Sequence, residues 1–162
     1  MTHRTGRRPA GGLLGTLAVA LVAAVVISGR GTAAGGDAPV RVGALRISGA
    51  SLPRPASRDV ASVYLTIRND GDLPDTVRRL SSDAAAEVTV MTEQPGGRMA
   101  DTGPLVVPAH VSVQLQPGRQ HLMLASPRAG LREGAVVHLT LDFDRAGPVV
   151  LAVPVTAVGG TR

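Results

Sequence analysis

Cysteine is absent from all 162 residues of the chain. Its absence excludes a disulfide scaffold, a thiol redox enzyme, a zinc–thiolate site and an iron–sulfur cluster. It also excludes a blue-copper electron carrier, which needs a thiolate ligand, and an acyl anchor on cysteine. Lysine is absent too, so the 17 basic residues are all arginine. Aromatic residues are nearly absent: Tyr64 and Phe143 are the only two. A core must therefore come from Val, Leu, Ile and Ala, and an apolar content of 44% is enough to build one domain. The formal charge of +5 is unevenly placed, because Arg4, Arg7, Arg8 and Arg30 all precede the first acid, Asp37. From Asp37 onward 13 arginines face 12 acids, a net charge of +1. Nucleic-acid binding would call for a basic patch interleaved with stacking aromatics, and residues 37–162 offer no such pattern.

The first 36 residues read as an address. Arg4, Arg7 and Arg8 precede an apolar run from Leu13 to Ile27, and small residues follow from Ser28 to Gly36. A basic start, an apolar middle and a small-residue exit are the parts of a secretory signal. The run is shorter than the roughly 20 residues of a bilayer span, which favours a cleaved signal over an uncleaved N-terminal anchor. Either reading puts residues 37–158 outside the cytoplasmic membrane, secreted or held to its outer face, with 159–162 as a short tail. Any membrane contact would run through that N-terminal segment.

The body reads as strands. Short apolar segments at 40–48, 60–68, 76–80, 87–91, 104–107, 111–116, 120–125, 135–144 and 149–158 are separated by turn clusters such as Asn69-Asp70-Gly71-Asp72. Val111, Val113 and Leu115 alternate with Ser112, Gln114 and Gln116. Val137, Leu139, Leu141 and Phe143 alternate with His138, Thr140, Asp142 and Asp144. Period-two alternation marks strands with one buried face. Many short strands and no long helical period predict an all-β sandwich or barrel.

The methionines carry the chemical signal. Beyond Met1 there are three, Met91, Met99 and Met123. Alternation puts Met91 with Glu87 and Thr89, leaving Val88 and Val90 for the core. It puts His121 and Met123 on one face and Leu122 and Leu124 on the other. Met99 follows Gly96-Gly97-Arg98 and reads as a loop residue. Methionine is a common filler of irregular cores, but these thioethers fall off the core side. Thioether and imidazole together suit Cu(I), whereas hard cations want carboxylates.

Twenty-one residues separate Met99 from His121, and His121-Leu122-Met123 follows. With Tyr64-Leu65-Thr66-Ile67-Arg68-Asn69, Gln116-Pro117-Gly118, Leu131-Arg132-Glu133-Gly134 and Leu139-Thr140-Leu141-Asp142-Phe143, the stretch from Val40 to Val158 resembles the PCuAC family of extracytoplasmic copper chaperones. The signature of that family is His or Met, a ten-residue spacer, Met, 21 residues, then His-x-Met. The resemblance implies a cupredoxin-like Greek-key β-sandwich or barrel and a Cu(I) site made of Met91, Met99, His121 and Met123. It also implies delivery of copper to the binuclear centre in cytochrome c oxidase subunit II, or to a Sco-type partner. The chain departs from the pattern in two ways. Met91 stands where most members have His, and only seven residues separate Met91 from Met99. The end of the chain has no His/Met-rich tail, so a second, Cu(II)-type site is not expected.

The remaining polar residues have plainer readings. His138 lies on the polar face of its strand, and His110 follows Pro108-Ala109 as a turn residue. Asp142 and Asp144 read as a solvated face. Without a nucleophile elbow, phosphate loop or His-Glu-x-x-His motif, no enzyme is expected. Two alternatives stay open from the residues alone: a metal-free Ig-like extracytoplasmic interaction domain, and a copper buffer with no dedicated recipient.

Overall fold

The computed structural model describes residues 38–128 and 130–157. The segment read as signal or anchor, and the tail, lie outside them. The described part forms eleven β-strands: β1 (Val40–Val42), β2 (Leu45–Pro53), β3 (Val60–Asn69), β4 (Asp75–Ser82), β5 (Ala85–Gln94), β6 (Arg98–Asp101), β7 (Leu105–Val107), β8 (Ser112–Leu115), β9 (His121–Pro127), β10 (Val136–Phe143) and β11 (Gly147–Thr156). Every regular element among the described residues is a strand, as the alternation predicts.

The strands pair in the order β6-β5-β9-β3-β2-β11-β10-β4-β7, with β1 added to β2 and β8 added to β3. All pairings are antiparallel except β2 with β11, where Leu52 and Pro53 run alongside Val155 and Thr156. β2 can serve both halves because its register with β3 shifts between Ser48 and Ser51, at Gly49, whose φ of +64° favours glycine.

The inward faces meet in one core. Ile47, Leu52, Val63, Ile67, Leu122, Leu124, Leu139, Leu141 and Val153 are almost wholly buried. Phe143 is the one aromatic residue inside, so the core is aliphatic as the composition requires. On β5 and β9 the core side is taken by Val88, Val90, Leu122 and Leu124, which leaves Met91, His121 and Met123 on the outer face.

Two sequence expectations change. The segment 40–48 is two strands, because Gly43 turns the chain at φ +55° and β1 folds back on β2. Met99 is not in a loop: it lies in β6, which pairs with β5 as a hairpin.

Candidate metal centre

The hairpin explains the short spacing between Met91 and Met99. Gln94 pairs with Arg98, leaving Pro95-Gly96-Gly97 as a three-residue connection. Gly96 and Gly97 both have positive φ, and the Gly97 amide donates to the Gln94 carbonyl at 3.1 Å. This tight turn sets Glu93 opposite Met99 and Met91 opposite Asp101. Residues directly opposite on antiparallel strands share a face, with Cβ atoms about 4.5–5.5 Å apart. Met91 and Met99 therefore stand on the same side of the sheet.

β9 lies along the other edge of β5. There Met91 is opposite His121, and Thr89 is opposite Met123. Across three strands the outer face thus carries Asp101, Met91 and His121 in one row. Met123 lies diagonal to Met91 on one side and Met99 on the other. Diagonal neighbours have Cβ atoms roughly 7–8 Å apart, within reach of long side chains. The structure thus puts all four sequence-predicted residues on one face, with Met91 in the middle, His121 directly opposite it, and Met99 and Met123 on its two diagonals.

The patch is not uniformly wet. His121 is only 5% exposed although it points away from the core, while Met99 is 49% exposed. Met91 and Met123 are half-buried. His121 thus lies on the side of β9 away from Leu122 and Leu124 and is nevertheless covered, and chain geometry gives the reason. β3 pairs with β9 only as far as Val63–Leu122 and with β8 from Leu65–Leu115 onward. The connection 116–120 leaves the sheet between these two ladders, beside Tyr64. It closes on itself through Gln116 N–H to the Gln120 carbonyl at 2.8 Å and Arg119 N–H to the Gln116 carbonyl at 3.2 Å. Tyr64 stands edge-on to the His121 ring, with centroids 6.1 Å apart at 61°.

The same connection fixes the imidazole. His121 Nδ1 lies 3.0 Å from the Arg119 carbonyl oxygen. A carbonyl can only accept, so Nδ1 is the donor in this contact, and in the neutral ring that leaves the lone pair on Nε2. Histidines that ligate metals are commonly oriented in this way, through a backbone carbonyl on the other ring nitrogen. Two further residues on this face, Tyr64 and Asp101, were not foreseen as neighbours. The turn signal Pro95-Gly96-Gly97 carried the information for Asp101, because a three-residue hairpin there sets it opposite Met91.

The other polar residues have partners elsewhere. His138 Nδ1 is 2.8 Å from Asp83 Oδ2, and its backbone amide donates to Asp83 Oδ1 at 2.9 Å. The hydrogen bond from His138 holds the Asp83 carboxyl below its ordinary range. His110 adopts φ +60° in a turn, as its sequence context predicts, and its Nε2 is 3.1 Å from Asp72. Asp144 pairs with Arg78. Among the described residues no three His, Asp or Glu side chains converge to hold a metal ion.

The LpqE-like model, a lipoprotein family by its description, matches residues 43–155. The chain belongs to the LpqE-like family. This LpqE-like chain has no cysteine, so the thioether-linked acyl anchor of a lipoprotein has no attachment point within its 162 residues. No curated protein matches the sequence. Among solved structures, the apo PCuAC domain from PmoF1 is 26% identical, with a TM-score of 0.66, covering 74% of this chain and 98% of that one. The copper-bound PCuAC domain from PmoF2 is 24% identical, with a TM-score of 0.66, covering 74% and 97%. The Cu(I) form of DR1885 from Deinococcus radiodurans is 24% identical, with a TM-score of 0.58, covering 76% and 84%. The PCuAC resemblance and the cupredoxin-like all-β fold read from the sequence of this LpqE-like protein are borne out by these matches.

Proposed function

We propose that the protein is an extracytoplasmic Cu(I) carrier, with Met91, Met99, His121 and Met123 as ligands and copper as cargo. The observation that carries this reading is the grouping of three thioethers and one imidazole on one sheet face, with His121 Nδ1 tied to the Arg119 carbonyl at 3.0 Å. Nε2 is then the available donor. Soft thioethers without thiolate favour Cu(I) over harder ions. Similarity to copper-bound PCuAC domains supports the same cargo.

A carrier must also release its metal. The exposed Met99 gives an incoming partner's ligand a way in, while His121 stays shielded. Exchange then proceeds one ligand at a time, and the protein itself does no redox work. We propose the copper site of cytochrome c oxidase subunit II, or a Sco-type protein, as recipient. The N-terminal segment would serve as signal or anchor, with residues 37–158 as the exported domain.

The test is an anaerobic competition titration of Cu(I) against a chromophoric chelator. One-to-one binding that collapses in His121→Ala/Met123→Ala is the expected result. Absence of Cu(I) binding by a folded chain would overturn the reading and put the metal-free interaction domain in its place. Transfer of copper from loaded protein to an apo recipient, read as copper content after separation, distinguishes a chaperone from a buffer.

A further inference from the structure

A second feature lies on the same side of the sheet as the methionine patch. Arg41 of β1 is directly opposite Arg46 of β2, and Arg46 is directly opposite Arg68 of β3. Three arginines therefore form a row across three adjacent strands. Like charges set directly opposite one another destabilise a sheet, so the row calls for an explanation beyond folding.

Asp70 supplies part of one. Its carboxylate accepts from Arg46 Nη2 at 3.1 Å and from Arg68 Nε at 3.0 Å. Arg68 and Arg46 hold the Asp70 carboxyl below its ordinary range, with a smaller contribution from Arg41. The row thus already grips a carboxylate, in the way guanidinium groups recognise acids. One carboxylate against three arginines leaves two positive charges, and Arg41 makes no hydrogen bond or ion pair among the described residues. All three side chains are at least partly open to solvent.

The placement relative to the metal centre matters. Arg68 and Tyr64 sit on the same face of β3, four residues apart, or about 13 Å at ~3.3 Å per residue. Tyr64 in turn abuts His121. The arginine row and the methionine patch thus lie on the same sheet face, on either side of the β3–β9 junction.

We propose that Arg41, Arg46 and Arg68 form a docking surface for an acidic segment of a protein partner, held by guanidinium–carboxylate hydrogen bonds. The partner's part in receiving copper rests on the carrier reading; the charge recognition does not. Asp70 acts as an internal competitor for the incoming carboxylates.

The test uses the full chain in a background with Arg4, Arg7, Arg8 and Arg30 changed to Gln, which removes N-terminal charge from the comparison. Binding of a fluorescent deca-glutamate peptide is followed by anisotropy at low salt and at ~0.15 M, where screening is stronger. The parent binds and weakens with salt. Arg41→Glu weakens binding about tenfold, the order expected for losing a charge-assisted contact. Asp70→Asn frees both of its arginines and strengthens binding, a sign that a merely structural role would not produce. Arg98→Gln and Arg119→Gln leave it unchanged. The proposal is overturned if the parent fails to bind, if Asp70→Asn has no effect or weakens binding, or if Arg98→Gln and Arg119→Gln weaken it as much as Arg41→Glu does. Binding to phosphatidylglycerol vesicles but not to the peptide would also overturn it, in favour of a membrane surface. Cu(I) affinity, measured separately, stays at the parent value in Arg41→Glu. Failure of the parent to bind Cu(I) would remove the carrier reading and leave the peptide result intact.

Discussion

Met91 stands directly opposite His121 across the β5–β9 ladder, while Met99 reaches the same patch only diagonally from β6. The three-residue turn that shortens the Met91–Met99 spacing sets Met91 opposite Asp101 and Glu93 opposite Met99, while the β5–β9 ladder independently sets Met91 opposite His121. Met91→Leu keeps volume and apolarity while removing sulfur, and is expected to lower Cu(I) affinity by about a hundredfold, the upper range seen when metal-site partners are lost. Met99→Leu, on an exposed edge strand, is expected to cost about tenfold or less on the same scale and to alter mainly the rate of copper release to a chelator. Competition titrations and stopped-flow transfer check both. Equal losses in the two variants would contradict the register argument.

Tyr64 is the single tyrosine and no tryptophan is present, so near-ultraviolet emission of the protein comes from this ring. Its edge-on contact with His121 predicts that Cu(I) loading changes tyrosine emission in one-to-one proportion. Edge-to-face aromatic contacts contribute about 0.5–1.5 kcal/mol. Tyr64→Ala should therefore weaken Cu(I) binding by roughly tenfold at most, through a looser imidazole. Tyr64→Phe keeps the ring and should leave affinity unchanged. A loss in Tyr64→Phe equal to that in Tyr64→Ala would mean that the hydroxyl, not the ring, is what matters.

The strand pattern was legible because alternation and turn clusters are local. Val88 and Val90 against Met91, and Leu122 and Leu124 against His121 and Met123, sort onto opposite faces by parity alone, and the structure keeps that sorting. β6 was missed because Arg98-Met99-Ala100-Asp101 has almost no apolar signal and owes its conformation to pairing with β5. How the faces of separate strands line up was beyond reach as well. Register depends on which strands pair, and β3 changes partner from β9 to β8 at Tyr64. The burial of His121 goes with that change, because the 116–120 connection brings the Arg119 carbonyl to Nδ1 and Tyr64 stands against the ring. The arginine row is likewise invisible in sequence: Arg41, Arg46 and Arg68 become neighbours only through the β1–β2–β3 register.

The Asp83–His138 pair gives a pH signature away from the metal centre. The hydrogen bond from His138 depresses the Asp83 carboxyl from its ordinary value of 3.8. A carboxyl depressed in the folded state adds stability that is fully present above its unfolded pKa and is lost as pH falls through the lower folded value. Both side chains are more than half exposed, so the increment is small. Asp83→Asn is expected to melt slightly below wild type at pH 7, with the gap closing as pH falls below about 4. Thermal melts of the two proteins from pH 7 to pH 3 check this. A gap that is constant with pH would show that the backbone hydrogen bond to His138 N–H, rather than the carboxylate charge, carries the effect.

Asp75 separates stability from the metal centre. It is buried at the start of β4, and its carboxylate accepts three backbone amides: Thr76 at 2.8 Å, Arg145 at 3.0 Å and Ala146 at 2.9 Å. It thereby ties β4 to the turn that joins β10 and β11. Asp75→Ala leaves those donors without partners in a site 5% exposed. Each unsatisfied buried group costs roughly 1–3 kcal/mol, so a total loss on the order of 3 kcal/mol is expected after partial rehydration of the turn. For a domain of this size that lowers the melting midpoint by roughly 10 °C. Asp75→Asn keeps one good acceptor oxygen and should lose less. Neither variant touches β5, β6 or β9, so Cu(I) affinity below the transition should match wild type in both. If Asp75→Ala lowered Cu(I) affinity while the domain remained folded, the metal centre would depend on the opposite half of the sandwich, and the picture of a site organised by the β6-β5-β9-β3 register would have to be abandoned.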